Sequence, residues 1–192
     1  MTRLRRIVLA ACLAPLSAAA PAWAQAPMMQ TPAAAAGDAA DIERLLNNGR
    51  AAEALARADR ALQTKPGDAQ LRFLRGVALS EAGRADEALA EFTRLTQDHP
   101  DLPEPYNNLA VLHAAQGRFE AAREALEAAV RSNPGYATAH ENLGDVYARL
   151  AAASYARARQ LDGGNRSALP KLAALRGVFA VAPAPAASAA QR

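Results

Sequence analysis

The chain has 192 residues, room for one domain of ordinary size with flexible ends. Its apolar fraction is 51% but its aromatic fraction only 5%, a balance that favours thin, closely packed helices over a thick aromatic core. The formal charge of +3 comes from Arg3, Arg5 and Arg6. Without them 19 basic residues face 19 acidic ones, which removes the cationic surplus a nucleic-acid binder needs.

Residues 1–24 read as a secretory signal. A basic start (1–6) precedes an apolar stretch (7–20), and Ala22-Trp23-Ala24 is a small-x-small cleavage signature that would start the mature chain at Gln25. Pro15 and Pro21 interrupt the stretch, which is too short to span a bilayer, and no other segment is apolar enough to do so. Cys12 offers an alternative. Leu9-Ala10-Ala11-Cys12 resembles the lipobox of bacterial lipoproteins, although only residues 7–11 would then remain as the apolar region. If the cut follows Ala24, the mature chain has no cysteine and is indifferent to an oxidising compartment. Residues 25–36 are Ala/Pro/Met-rich without a period and are expected to be a disordered linker.

From residue 37 a repeat dominates. Gly49, Gly83 and Gly117 recur at an interval of 34, as do Ala54, Ala88 and Ala122, and Pro66, Pro100 and Pro134. Each marker has a physical task. The glycine ends a first helix where a left-handed residue is needed. The alanine lets two helices approach closely, and the proline stops the second helix. Each unit is therefore helix, glycine turn, helix, proline turn.

The units run over 35–68, 69–102 and 103–136. In the second, Leu71, Leu74, Ala78 and Leu79 with the small Gly76 make one buried stripe, and Ala85, Ala88, Leu89, Phe92 and Leu95 make the other. The third opens on Pro103 and Pro105, both tolerable in a first turn, and continues through Tyr106, Leu109, Ala110 and Leu112, then Ala122, Leu126 and Ala129.

The series Tyr106, Leu109, Ala110, His113, Gly117, Ala122, Leu126, Ala129, Pro134 resembles the tetratricopeptide (TPR) family signature. The first unit departs from it most, with Asp41 and Ile42 where the family has a large–small pair. A fourth unit is truncated. Ala137, His140, Leu143, Gly144 and Tyr147 match a first helix, and Tyr155, Ala158, Leu161 and Asp162 the end of a second. Five residues, the turn glycine among them, are missing between, and Leu150-Ala151-Ala152-Ala153-Ser154 is a strong helix former. The two helices are predicted to fuse into one rod over roughly 138–161.

A fused helix cannot fold back on itself, so Tyr155, Ala158 and Leu161 need another cover. Residues 167–180 supply a terminal capping helix, with Ser167 as cap, Pro170 in the first turn and Leu172, Leu175, Val178 and Phe179 as its stripe. The same region of a second molecule, giving a homodimer, is the alternative. Residues 181–192 form an Ala/Pro tail expected to be disordered. The expected fold is all-α: a TPR-type solenoid with capping helix over 37–180, comprising three full repeats and a fused fourth.

Chemistry is sparse. His99, His113 and His140 match no metal-ligand spacing, and His113, at a tyrosine-type core position, is expected to be structural. Asp86, Glu87, Glu124 and Glu127 read as a solvated face with intrahelical pairs such as Glu120–Arg123. No enzyme activity, cofactor or metal is expected. The resemblance instead implies a groove lined by outward positions of the first helices. These are Glu43, Leu46 and Asn47; Gln70, Phe73, Val77 and Ser80; Glu104, Asn107, Val111 and Ala114; Thr138, Glu141, Asp145 and Ala148. Asn108 and Asn142 match places from which family members bond a bound peptide's backbone. Phe73, Val77 and Val111 would form an apolar floor, unless they only complete helix packing, with an acidic end at Glu141 and Asp145. Phe73, Val77, Thr138 and Asn142 stand where relatives that clamp C-terminal carboxylates carry Lys and Arg, so that subtype is disfavoured. The expected partners are other proteins or peptide segments of the cell envelope, bound by a periplasmic scaffold.

Overall fold

The computed structural model describes residues 33–178, with side chains from Gly37 onward. The described residues form eight α-helices and no strand. These are α1 (Ala33–Asn47), α2 (Ala51–Thr64), α3 (Ala69–Glu81), α4 (Ala85–Asp98), α5 (Pro103–Ala115), α6 (Phe119–Ser132), α7 (Ala137–Leu161) and α8 (Ala168–Val178). The chain divides into two compact units, one ending at Val146 and one beginning at Tyr147.

In the first unit the predicted punctuation appears as geometry. Gly49, Gly83 and Gly117 have φ of 69°, 77° and 77°, a region closed to most side chains. The Gly83 N–H donates to the Ser80 carbonyl (3.1 Å) and the Arg84 N–H to that of Leu79 (2.9 Å), which satisfies two carbonyls left over at the end of α3. The same pair of bonds closes α1 at Gly49–Arg50 and α5 at Gly117–Arg118. The arginine after each of the first two glycines then holds the carboxylate three residues on, Arg50 with Glu53 and Arg84 with Glu87. At the proline turn, Asp68 caps α3 by accepting from the Leu71 N–H at 3.0 Å.

Ala54, Ala88 and Ala122 are all fully buried, so each marks a close crossing of helices. A further close approach, between α3 and α4, depends on glycine. A Cβ placed on Gly76 would stand 2.6 Å from Cε1 of Phe92, a ring with no exposed surface. Gly144, at the equivalent place on α7, has open space around it because the fourth unit lacks its folded-back second helix. Asp41, the departure in the first unit, has a partner. Arg57 on α2 reaches Asp38 (2.7 Å) and Asp41 (3.4 Å) and ties α2 to α1.

The rod exists: α7 is continuous over 25 residues, with no turn between 148 and 154. The linker ends earlier than expected. Ala33–Ala36 belong to α1, because an alanine run needs only an adjoining helix to continue it. Ser167 is not the cap of α8. Its hydroxyl donates to Asn165 Oδ1 (2.9 Å), and that oxygen also accepts the Ala168 N–H (3.2 Å), so Asn165 does the capping. The second unit is thinly packed. Tyr155, Ala158, Leu172 and Leu175 are half-buried, and Leu161 lies open to solvent. The expectations for residues 1–32 and 179–192, including Cys12, the cleavage site and Phe179, lie outside the described residues.

Candidate partner-binding site

The predicted groove positions are carried by α1, α3, α5 and the first half of α7, and they divide into two sets. One set stitches neighbouring first helices together. Gln70 Nε2 donates to Glu43 Oε1 (3.4 Å) between α3 and α1, and Asn142 Nδ2 donates to Asn107 Oδ1 (2.9 Å) between α7 and α5. Gln70, Val77, Asn107 and Ala114 are buried, as is Leu46. Val77 and Ala114 therefore belong to the helix packing and are removed from the floor offered to a partner. Shape explains the correction: first helices close enough for these amides to meet leave no space between them at the small or branched positions.

The second set remains accessible. Phe73 is half-buried, its ring 5.8 Å from that of Phe92 at an interplanar angle of 52°, so it belongs partly to the core. Ser80, Glu104, Asn108, Val111, Thr138, Asn142 and Asp145 are half-buried, and Glu141 and Asn47 are exposed. Asn108 Nδ2 donates to the Glu104 carbonyl (2.9 Å), which leaves its Oδ1 to accept from a ligand. Asn142 spends a donor on Asn107 and is held in a fixed orientation by it. Ala148 lies past Val146, in the second unit.

The electrostatics of this face are acidic. Burial raises the Glu104 carboxyl above its ordinary range. Nearby Tyr136, itself buried, is pushed up to about 12 by desolvation and by the charge of Glu104. A carboxylate held against low-dielectric surroundings gains most from a cationic or hydrogen-bond-donating partner.

His113 sits at the end of α5 with Nδ1 buried and without a partner, and burial, then the charge of Arg118, lowers its pKa below the usual 6.5. Below that pH the unfolded chain takes up a proton that the folded chain resists, so stability falls as pH drops. A His113→Phe variant is expected to lose this acid sensitivity, read as urea midpoints converging between pH 7 and 5. Equal slopes in both proteins would refute the assignment. Among the described residues no group of three or more His, Cys, Asp or Glu could hold a metal ion, and no helix is long and apolar enough to cross a membrane.

Sequence reasoning passed over Glu91. It is buried on α4 and takes Arg72 Nε at 3.1 Å and Arg75 Nη1 at 2.9 Å, while the same arginines reach Asp98 and Asp59. The available signal was a pair of arginines three apart on a helix whose stripe is otherwise apolar.

A family model described as tetratricopeptide repeat matches residues 45–112 and 79–143. Among solved structures, YrrB, described as a TPR protein with an unusual peptide-binding site, is 27% identical with a TM-score of 0.50, and the match covers 53% of each chain. The chain thus spans about half the length of YrrB. A thermophilic TPR protein of Thermus thermophilus is 26% identical with a TM-score of 0.58, over 75% of this chain and 82% of the other. MamA, 18% identical over 71% and 83%, shares the fold with a TM-score of 0.53.

Proposed function

The chain belongs to the tetratricopeptide repeat family, and from that premise we propose that it is a periplasmic scaffold that holds a peptide segment of an envelope protein in the groove of its first helices. The TPR fold is that of a protein–protein interaction scaffold, and its members are generally non-enzymatic. The observation that carries the finer reading is the accessible strip of Val111, Asn108, Glu104 and Glu141, which combines apolar contact, an open amide acceptor and carboxylates. That combination suits an extended backbone with donor or cationic side chains. The peptide-binding site for which YrrB is described supports the same use of the fold. Export rests on the basic, apolar and Ala-x-Ala sequence of residues 1–24. An intact mass starting at Gln25 fits this reading, and an acylated Cys12 would instead make the scaffold lipid-anchored.

The groove is tested away from the core. Phe73 packs on Phe92, so a charge there would disturb folding. Val111→Glu/Glu141→Arg changes one half-buried and one exposed position and should cost about 1 kcal/mol, leaving the fold intact. Partners crosslinked in intact cells, or recovered from periplasmic extract, are expected to fall at least tenfold. Undiminished recovery by a folded double variant would remove the groove from the proposal.

A further inference from the structure

All four large apolar side chains that stand exposed among the described residues lie in the unit beginning at Tyr147. Leu161 is 72% exposed, Val178 61%, Leu169 48% and Tyr147 47%. The same stretch is basic. Residues 147–178 hold six basic side chains against the single acid Asp162, whereas residues 33–146 hold 18 acidic and 12 basic ones. In the first unit much of the arginine charge is consumed, as at Arg57, Arg72, Arg75 and Arg123. In the second, Arg157, Arg159, Arg166, Lys171 and Arg176 make no ion pair among the described residues. Lys171 lies 5.1 Å above the ring of Tyr155, Arg157 bonds Gln160, and Asp162 accepts the Gly164 N–H.

Position joins the two properties. Leu169, Leu172, Ala173 and Arg176 follow the i, i+3, i+4, i+7 rhythm and share one face of α8. With Pro170 and Arg159 of α7 they line an open cleft of about 380 Å³. Its wall is apolar, and it carries two guanidiniums without a carboxylate between them. A ligand that satisfies both must place an anion beside hydrocarbon.

Charge decides among the occupants. A second copy pairing through this face would set Arg157, Arg159, Arg166, Lys171 and Arg176 against the same five cations. A nucleic acid would answer the charge and leave Leu169 and Pro170 in water. An acidic protein surface would do the same unless it carried a matching apolar patch. An anionic bilayer supplies a sheet of phosphates with hydrocarbon directly beneath it.

We infer that α8 and the second half of α7 dock the protein peripherally onto an anionic phospholipid surface, with Arg159 and Arg176 at headgroup phosphates and Leu169 and Pro170 of the same cleft entering the acyl boundary. No helix need cross the bilayer for this. The inference does not depend on the groove reading.

The test is flotation with phosphatidylglycerol/phosphatidylcholine vesicles and with pure phosphatidylcholine vesicles. Both the full chain and the chain from Gln25 are used, so that Arg3, Arg5 and Arg6 are not what the vesicles report. Binding is expected only to the anionic vesicles, weakened at least tenfold between low salt and 0.5 M salt. Arg159→Glu/Arg176→Glu should lose at least tenfold in affinity, and Leu169→Ser should lose binding while keeping its helical circular dichroism. Arg159, Leu169 and Arg176 are exposed, so neither change is expected to unfold the unit. No binding to either vesicle, equal binding to both, or full retention by the arginine pair would each overturn the inference. Retention on polyglutamate beads without vesicle binding would overturn it in favour of an acidic protein surface.

Discussion

Gly76→Ala is expected to destabilise the protein by about 2 kcal/mol, although the same change in most helices adds stability. Replacing a mid-helix glycine by alanine ordinarily gains about 1 kcal/mol from backbone entropy and helix propensity. Here the new methyl would sit 2.6 Å from Phe92 Cε1 and 2.8 Å from Cζ. The ring cannot swing away, because it is fully buried and packed on Phe73. Either α3 and α4 move apart or the ring leaves its rotamer, and overpacking of this kind costs about 1–3 kcal/mol beyond the lost gain. Gly144→Ala is the control. Nothing lies within 4 Å of its Cβ, so it should gain roughly 0.5–1 kcal/mol. Urea unfolding of both variants reads the difference as midpoints displaced in opposite directions. Adding Phe92→Leu to Gly76→Ala should recover at least about 1 kcal/mol relative to the sum of the singles, since the clash is with that ring. Two variants shifting the same way would refute the claim that the missing second helix separates these glycines.

The contrast between Gly76 and Gly144 also marks how far the sequence carries. A period of 34 in three residue types at once reports the helix–turn–helix unit, because each marker answers a backbone or packing requirement that few residues meet. The fused α7 followed from a deletion that removed the turn glycine and left an alanine run. The groove was less legible. Position within the repeat says which way a side chain leaves its helix, but not how near the neighbouring helix stands. Val77 and Ala114 point along the groove direction and are nevertheless buried, while Asn107 and Asn142 bond each other across it. Distances between neighbouring repeats depend on the volumes of every residue in the interface, which periodicity does not report. The cap of α8 was misassigned for a similar reason. Asn165 and Ser167 both favour that role, and only the loop geometry decides which oxygen faces the first N–H.

Glu91→Ala should cost about 3 kcal/mol, a surface-type change by sequence appearance but a core change by consequence. Glu91 is 6% exposed, and each of its oxygens takes a different arginine of α3. The arginines extend the network outward, Arg72 to Asp98 at 2.6 Å and Arg75 to Asp59 at 2.7 Å, so α2, α3 and α4 share one set of charges. Removing Glu91 leaves two guanidinium stems packed against α4 with their inner donors unsatisfied. Desolvated donors without acceptors account for most of the loss, more than the attraction given up. The outer members differ. Asp98 is largely exposed, so Asp98→Ala should cost no more than about 0.5 kcal/mol and fade with added salt. The cost of Glu91→Ala should persist in 0.5 M salt, because no ion can follow the arginines into the interface. Replacing all three inner members together, Arg72→Met/Arg75→Met/Glu91→Leu, should recover much of the stability lost by Glu91→Ala, since apolar side chains of similar volume carry no unmet donor. Equal costs for Glu91→Ala and Asp98→Ala, with equal salt dependence, would place the network at the solvated surface and refute its role in joining the three helices.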